Sequence, residues 1–243
     1  MVWAKIWVYL YKMQDDLICT LRLFADDALL YHKITHNDDT LALQSDLDKL
    51  GLWADRWQML FNPTNCYKMS VYRSRTPVVK DYTLYNQALV AVQQHHNLGV
   101  LLSSDLRWNS HVGKNVKKGN STLAFVKRNL YACSEETKQA AYVSLVRPHL
   151  EYATAVWDPY RQNQVEKLEA VQSHAVRFID YDNNTSVSIL KKSLSLELLS
   201  ERQKSHRLQI FHKLVYNDIA LPVPPYHKLS IRETRNYSIY TTT

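Results

Sequence analysis

The stretch Leu21-Arg22-Leu23-Phe24-Ala25-Asp26-Asp27-Ala28-Leu29-Leu30-Tyr31 decides how the rest of this 243-residue chain reads. Two apolar runs of strand length flank two adjacent carboxylates, with no room for more than a tight turn. The pattern predicts a β-hairpin with Asp26 and Asp27 at or beside its tip. Side chains alternate between faces along a strand, so the stem can be buried while the tip carries acid. Two carboxylates about 5 Å apart repel by roughly 3 kcal/mol at an effective dielectric near 20. A hard divalent cation removes that repulsion, and Mg²⁺ is commonly held by one or two carboxylates together with substrate phosphates. Asp-Asp is also an ordinary turn dipeptide, because Asp tolerates turn conformations and bonds nearby backbone amides.

Composition sets the outer bounds. Apolar residues make up 46% and charged residues 22% of the chain, as in a globular protein. Only four glycines are present, and no Gly-rich phosphate loop can be read. Cys19, Cys66 and Cys133 are far apart, which gives neither a disulfide framework nor zinc spacing and suits a reduced, intracellular compartment. His95-His96 is the one adjacent histidine pair and has no acid or Cys at ligand spacing. No apolar run is long enough to span a bilayer, and the short run Trp3 to Leu10 is not followed by a signal-cleavage pattern.

The net charge of +7 is unevenly distributed. Residues 1–104 hold 10 basic and 10 acidic side chains, residues 105–215 hold 17 and 11, and residues 216–243 hold 3 and 2. A neutral first part joined to a basic second part suits a polyanionic partner, and equally a basic surface that is only solvated.

The pattern along the chain follows the same division. Leu43, Leu47, Leu50, Ala54 and Trp57 recur at helical spacing and predict a helix capped within Asn37 to Asp39 and ended before Pro63. A strand is expected around Tyr67, Met69 and Val71, then a hairpin turning at Asn86-Gln87, then a strand His96 to Leu102 with a bulge or close approach at Gly99. From Asp105 onward the period is helical. Val112, Val116, Gly119, Leu123, Val126 and Leu130 form one stripe, with Lys114, Lys117, Lys118, Lys127 and Arg128 off it. A second helix after Ser134 is expected to bend or break at Pro148 and to continue to Trp157. Further helices are expected over about 165–179, 186–194 and 198–215, the last presenting Arg202, Lys204, Arg207 and Lys213.

Phe24-Ala25-Asp26-Asp27 resembles the aromatic-small-Asp-Asp turn of reverse transcriptases, and the wider phrase resembles the enzymes of non-LTR (LINE, jockey-like) retrotransposons. Phe61-Asn62-Pro63 with Cys66 is similar to the next motif, although Asn65 stands where the family usually has lysine. Leu98-Gly99-Val100 resembles the primer-grip hairpin, with Asn97 in place of the usual tyrosine. Lys127-Arg128-Asn129-Leu130, Leu145 to Ala153, Val156 to Tyr160 and Leu168 to Gln172 are similar to the family's thumb region.

The resemblance implies an α+β fold: a partial palm over residues 1–104, an antiparallel sheet with a covering helix, followed by an all-α thumb bundle over 105–215 and an extended, Pro-containing tail over 216–243. It implies Asp26 and Asp27 as catalytic metal ligands and Leu98, Gly99 and Val100 as a primer grip. It also implies that Lys114, Lys117, Lys118, Lys127, Arg128, Arg202, Lys204 and Arg207 contact an RNA/DNA primer–template duplex. The third carboxylate, the nucleotide pocket and the fingers are expected to fall outside this sequence. The expectation is therefore a fragment, inactive alone, with Mg²⁺ weak or absent although the parent enzyme uses it. A missing fingers or palm segment is a further expected partner, and no membrane is expected. The alternatives are a non-sequence-specific nucleic-acid-binding module and a decayed product without a selected role.

Overall fold

The computed structural model describes residues 16–24, 27–59, 61–72, 78–181, 184–216, 218–219, 227–229 and 240–242. The chain divides into two compact units, Met1–Arg107 and Trp108–Thr243. It mixes helices with short two-stranded sheets.

The first unit opens on the expected hairpin, β1 (Thr20–Phe24) and β2 (Asp27–Tyr31). Its register runs from Thr20↔Tyr31 to Phe24↔Asp27, so residues 25 and 26 connect the strands. The following helix, α1 (Asn37–Arg56), backs the hairpin: Leu21 and Leu50 are buried against each other's surroundings with Leu17, Leu23, Leu30, Trp53 and Phe61. Its cap differs from the sequence expectation. His36 is the cap residue, and the Asp39 carboxylate reaches back to accept bonds from the Thr35 N–H (2.6 Å), the Thr35 hydroxyl (2.7 Å) and the His36 N–H (2.8 Å). These bonds, led by that from His36, hold the Asp39 carboxyl well below the usual carboxylate range.

The expected stripe on α1 is interrupted by a buried acid. Asp46 is fully buried and accepts the Cys19 N–H at 2.7 Å, tying the entry of β1 to the helix, while Lys49 meets its other oxygen at 2.8 Å. Burial pushes this carboxyl up, but the bonds from Lys49 and Cys19 outweigh it and leave it below its ordinary value. Burial, with Asp46 beside it, pushes the Cys19 thiol up to about 12, so it remains protonated.

A continuous antiparallel sheet does not form among the described residues; separate strand pairs take its place. After a short 3₁₀ turn at Pro63–Asn65, β3 is only Tyr67–Lys68, and it pairs in parallel with β6 (Val90–Ala91). Between them, β4 (Thr83–Leu84) and β5 (Gln87–Ala88) form a hairpin. Its turn is Tyr85-Asn86, one residue earlier than expected, with φ of 51° and 61°. Two positive φ values in a two-residue connection match the twist of a hairpin, and Asn accepts that conformation. Gln44 of α1 replaces a neighbouring strand, since its amide donates to the Thr83 carbonyl (2.9 Å) and accepts the Thr83 N–H (3.0 Å). The last pair is β7 (Gln94–Asn97) with β8 (Val100–Ser103). Gly99 therefore sits in a turn and not in a strand bulge, because Leu98 and Gly99 have φ of 47° and 82°.

The second unit is helical around α2 (Asn109–Asn129), with buried His111, Val112, Asn115, Gly119, Leu123 and Val126 along one side. α3 (Glu135–Ala141) starts at Ser134, whose hydroxyl accepts the Thr137 N–H. No break occurs at Pro148. The helical path instead widens to a π turn over Tyr142–Val146 and resumes as α4 (Arg147–Glu151). The wider spacing lets the chain pass the amide that proline lacks. The helix ends at Glu151, short of Trp157. Ala153 has φ of 56°, and the Trp157 indole N–H donates to the Tyr152 carbonyl at 2.7 Å, folding the segment back on itself. α5 (Gln162–Asp180), α6 (Val187–Ser193) and α7 (Leu199–Val215) complete the unit, followed by a strand pair, β9 (His227–Leu229) and β10 (Tyr240–Thr242). Inside it, the Tyr142 hydroxyl donates to Gln172 (2.7 Å) and Gln172 donates to the Glu197 carbonyl (2.8 Å), which satisfies the buried Tyr142 hydroxyl and both ends of the Gln172 amide.

Gly119 is where α2 meets α4 and α5: a Cβ there would lie 2.9 Å from a Leu150 methyl and 3.4 Å from one of Val171. Leu150 is fully buried and has nowhere to retreat. Gly119→Val is expected to destabilise the chain by about 1–3 kcal/mol, read as a lower urea midpoint. For Asp46 the folded-state pKa lies below the unfolded value near 3.9, so its contribution is present above about pH 4 and lost as pH falls through the folded value. Asp46→Asn is expected to cost about 1–3 kcal/mol at neutral pH and to flatten the acid limb of the stability–pH curve, measured by denaturant titration between pH 2 and 7.

Candidate functional site

Alternation places Thr20, Arg22, Phe24, Asp27, Leu29 and Tyr31 on the outer face of the first hairpin, opposite the face that packs on α1. Asp27 is exposed on that face and is paired across the strands with Phe24, which is 61% exposed. Asp26 lies outside the described residues. A hard cation would find one carboxylate at Asp27, and among the described residues no group of three or more His, Cys, Asp or Glu side chains could hold a metal. The donor set shown thus fits Mg²⁺ only in part.

The expected grip residues occupy the tip of the last hairpin of the first unit. Leu98 and Gly99 form its turn, Leu98 half exposed, and Val100 turns inward and is buried. Lys68, a neighbour of the position where the resemblance places a lysine, is committed elsewhere. Its ammonium meets Asp81 at 2.7 Å and the Lys80 carbonyl at 2.8 Å. His95 lies tilted against Tyr67 at 5.3 Å between ring centroids and joins no cluster of metal-binding side chains among the described residues.

In the second unit α2 carries five cationic side chains and no acidic one in 21 residues. Lys114, Lys117, Lys118 and Arg128 are exposed, and with Ser121 and Phe125 they recur at spacings of three, four and seven residues, on one face. From Lys114 to Arg128 this face runs about 21 Å at the helical rise. Phe125 is 55% exposed on it. The positive potential extends to α4: burial, and after it the Lys118 ammonium, push the His149 imidazole below its ordinary value. Lys127 departs from this face, half-buried with its ammonium 5.9 Å from the centroid of the Phe178 ring.

Two cations of α7 are held in ion pairs with other elements. Arg202 forms two bonds with the Glu151 carboxylate, at 2.5 and 3.1 Å, and Arg147 approaches the same carboxylate at 3.8 Å. Arg207 pairs with Asp158. Both arginines thus fasten α7 to the end of α4 and the segment after it, a use that helical spacing does not foretell. Lys204 remains exposed, near Glu201 at 4.0 Å. Sequence periodicity gave no sign of these partners, because Glu151 and Asp158 lie some 50 residues upstream of the arginines that meet them. It also passed over Lys138, which is 5% exposed and lies against Phe178 and Tyr181.

Among the described residues no helix is long and apolar enough to cross a membrane. Comparison with known proteins finds no matching family model, no matching curated protein and no matching solved structure. The Arg202–Glu151 geometry has a direct consequence. Arg202→Gln is expected to lower stability by about 1–3 kcal/mol, since it leaves a largely buried carboxylate with only the distant Arg147, and to change the salt dependence of any nucleic-acid binding little; urea melting beside a binding titration checks both.

Proposed function

We propose that this chain is part of a non-LTR retrotransposon reverse transcriptase, with the first unit corresponding to a palm remnant and the second to a thumb that holds an RNA/DNA primer–template by its phosphates. The observation that carries the reading is the acid-free cationic face of α2. Lys114, Lys117, Lys118 and Arg128 stand outward on one side of a helix whose other side is locked in the core. Such a face neutralises backbone charge without reading sequence. The Phe-Ala-Asp-Asp phrase, whose last residue Asp27 lies next to a two-residue connection, supports the polymerase part of the reading. In the parent class of enzyme Asp26 and Asp27 would be the protein's ligands for Mg²⁺, which would stabilise the charge developing during nucleotidyl transfer.

Rate in such chemistry depends on preorganised geometry, so the binding role is the one assigned to this chain on its own. Titration of the full chain with an RNA–DNA hybrid by fluorescence anisotropy is expected to show affinity falling steeply from 50 to 200 mM salt. The triple variant Lys114→Gln, Lys117→Gln, Lys118→Gln is expected to lower the slope of log affinity against log salt by about 2 to 3, at roughly 0.9 for each phosphate contact. A flat salt response, or no binding at the lowest salt, overturns the binding role. Mg²⁺-dependent primer extension by the same preparation, abolished by Asp26→Asn, would overturn the assignment of binding alone and restore catalysis to this chain.

A further inference from the structure

The packing at Gly119 places a histidine beside the cationic row of α2. A Cβ on Gly119 would lie 2.9 Å from a Leu150 methyl, so α2 and α4 touch at this point. Lys118 precedes Gly119, and His149 precedes Leu150. Lys118 is exposed, and His149 is half-buried between exposed Pro148 and fully buried Leu150. Leu150 holds α4 in the core, so the imidazole sits on a fixed element and still keeps an edge to solvent. The two side chains are close enough for one to act on the other. Burial, and after it the Lys118 ammonium, hold the imidazole below its ordinary value, and it is neutral at pH 7.

The other ionisable groups around α4 are committed elsewhere. On the same helix Arg147 approaches Glu151 at 3.8 Å, and from α7 Arg202 holds that carboxylate at 2.5 and 3.1 Å. His206 of α7 meets Thr154 at 3.4 Å. From the π turn, Tyr142 is fully buried and donates to Gln172. From α2 come Lys118 and, one turn before it, Lys114, on a helix with no acidic residue.

A polyanion reverses the balance at His149. Beside a neutral imidazole, an ammonium opposes the arrival of a proton. A phosphodiester between them offsets the lysine charge and offers two non-bridging oxygens, one for the ammonium and one for an imidazolium N–H. Protonation then adds a contact in place of a repulsion. We propose that His149 is a proton-linked contact for a nucleic-acid backbone: a phosphodiester seated on Lys118 also meets the imidazole, which takes a proton from solvent and donates through it to a phosphate oxygen. This contact rests on the nucleic-acid-binding role proposed for α2, and adds to it a residue from a second helix and a dependence on pH. The bound state holds the extra proton. Affinity is therefore lowest where His149 is neutral in both states, and rises as pH falls through the midpoint of the bound state.

The test titrates the full chain with the RNA–DNA hybrid at one fixed low salt. Affinity is expected to rise about fivefold from about pH 8 to about pH 5.5. His149→Gln is expected to remove most of that rise, and His149→Lys to hold affinity high and flat across the range. His212→Gln, near the end of α7, is expected to leave the rise in place. With histidines labelled at ¹³Cε1, the NMR titration midpoint of His149 is expected to move up when hybrid saturates the chain. Lys118→Gln is expected to raise the midpoint of the free chain and to shrink that movement. A midpoint unmoved by saturating hybrid, or a pH response kept in full by His149→Gln, overturns this contact while the binding role of α2 stands. No binding at the lowest salt at any pH overturns that role and the contact with it.

Discussion

The close approach at Gly119 governs the second unit. With no side chain there, Leu150 and Val171 come against the backbone of α2, at the middle of a buried side that also carries Val112, Asn115, Leu123 and Val126. A helix locked on one side has its opposite side fixed as well. The row from Lys114 to Arg128 faces outward for that reason, and not because the charges repel one another into solvent. The same contact brings Lys118 near His149, since each residue immediately precedes a member of the Gly119–Leu150 pair. The positive surface and the core are therefore two aspects of one packing arrangement.

The first unit relies on carboxylates used as fasteners. Asp39 closes the start of α1, Asp46 anchors the entry of β1 from inside the same helix, and Asp81 holds Lys68. All three have their pKa lowered by hydrogen bonds to specific donors. Strands of two to five residues cannot build a sheet unaided, and the helix substitutes for the missing neighbours through Gln44 and through the face that Leu50 and Trp53 present. This explains how separate ribbons persist where one continuous sheet was expected.

What the sequence disclosed was mainly local and periodic. The β1–β2 hairpin, α1, α2 and α5 follow from alternation or from helical spacing. The turns at Tyr85-Asn86 and Leu98-Gly99 were misplaced or misread because left-handed conformations at Tyr85 and Leu98 are not signalled by residue type. The π turn before Pro148 is likewise an adjustment of hydrogen bonding that no spacing rule reveals. For the candidate site, the cations of α2 were legible because their spacing is local. The diversion of Arg202 and Arg207 into ion pairs was not, because it depends on partners some 50 residues away. Asp46 was passed over for a related reason: an acid on an apolar stripe reads as an interruption until the backbone amide it serves is seen.

The outer face of the first hairpin has a bearing on how this protein behaves in bulk. Phe24, Leu29 and Tyr31 stand in a row facing solvent, and among the described residues neither margin of the ribbon is covered by a further strand. A greasy ribbon with open margins invites a second molecule to lay its own ribbon alongside, and nothing in such stacking limits it to two copies. Concentrated preparations are therefore expected to aggregate from this ribbon first, and Arg22 and Asp27, the charges on that face among the described residues, are placed to interrupt such growth.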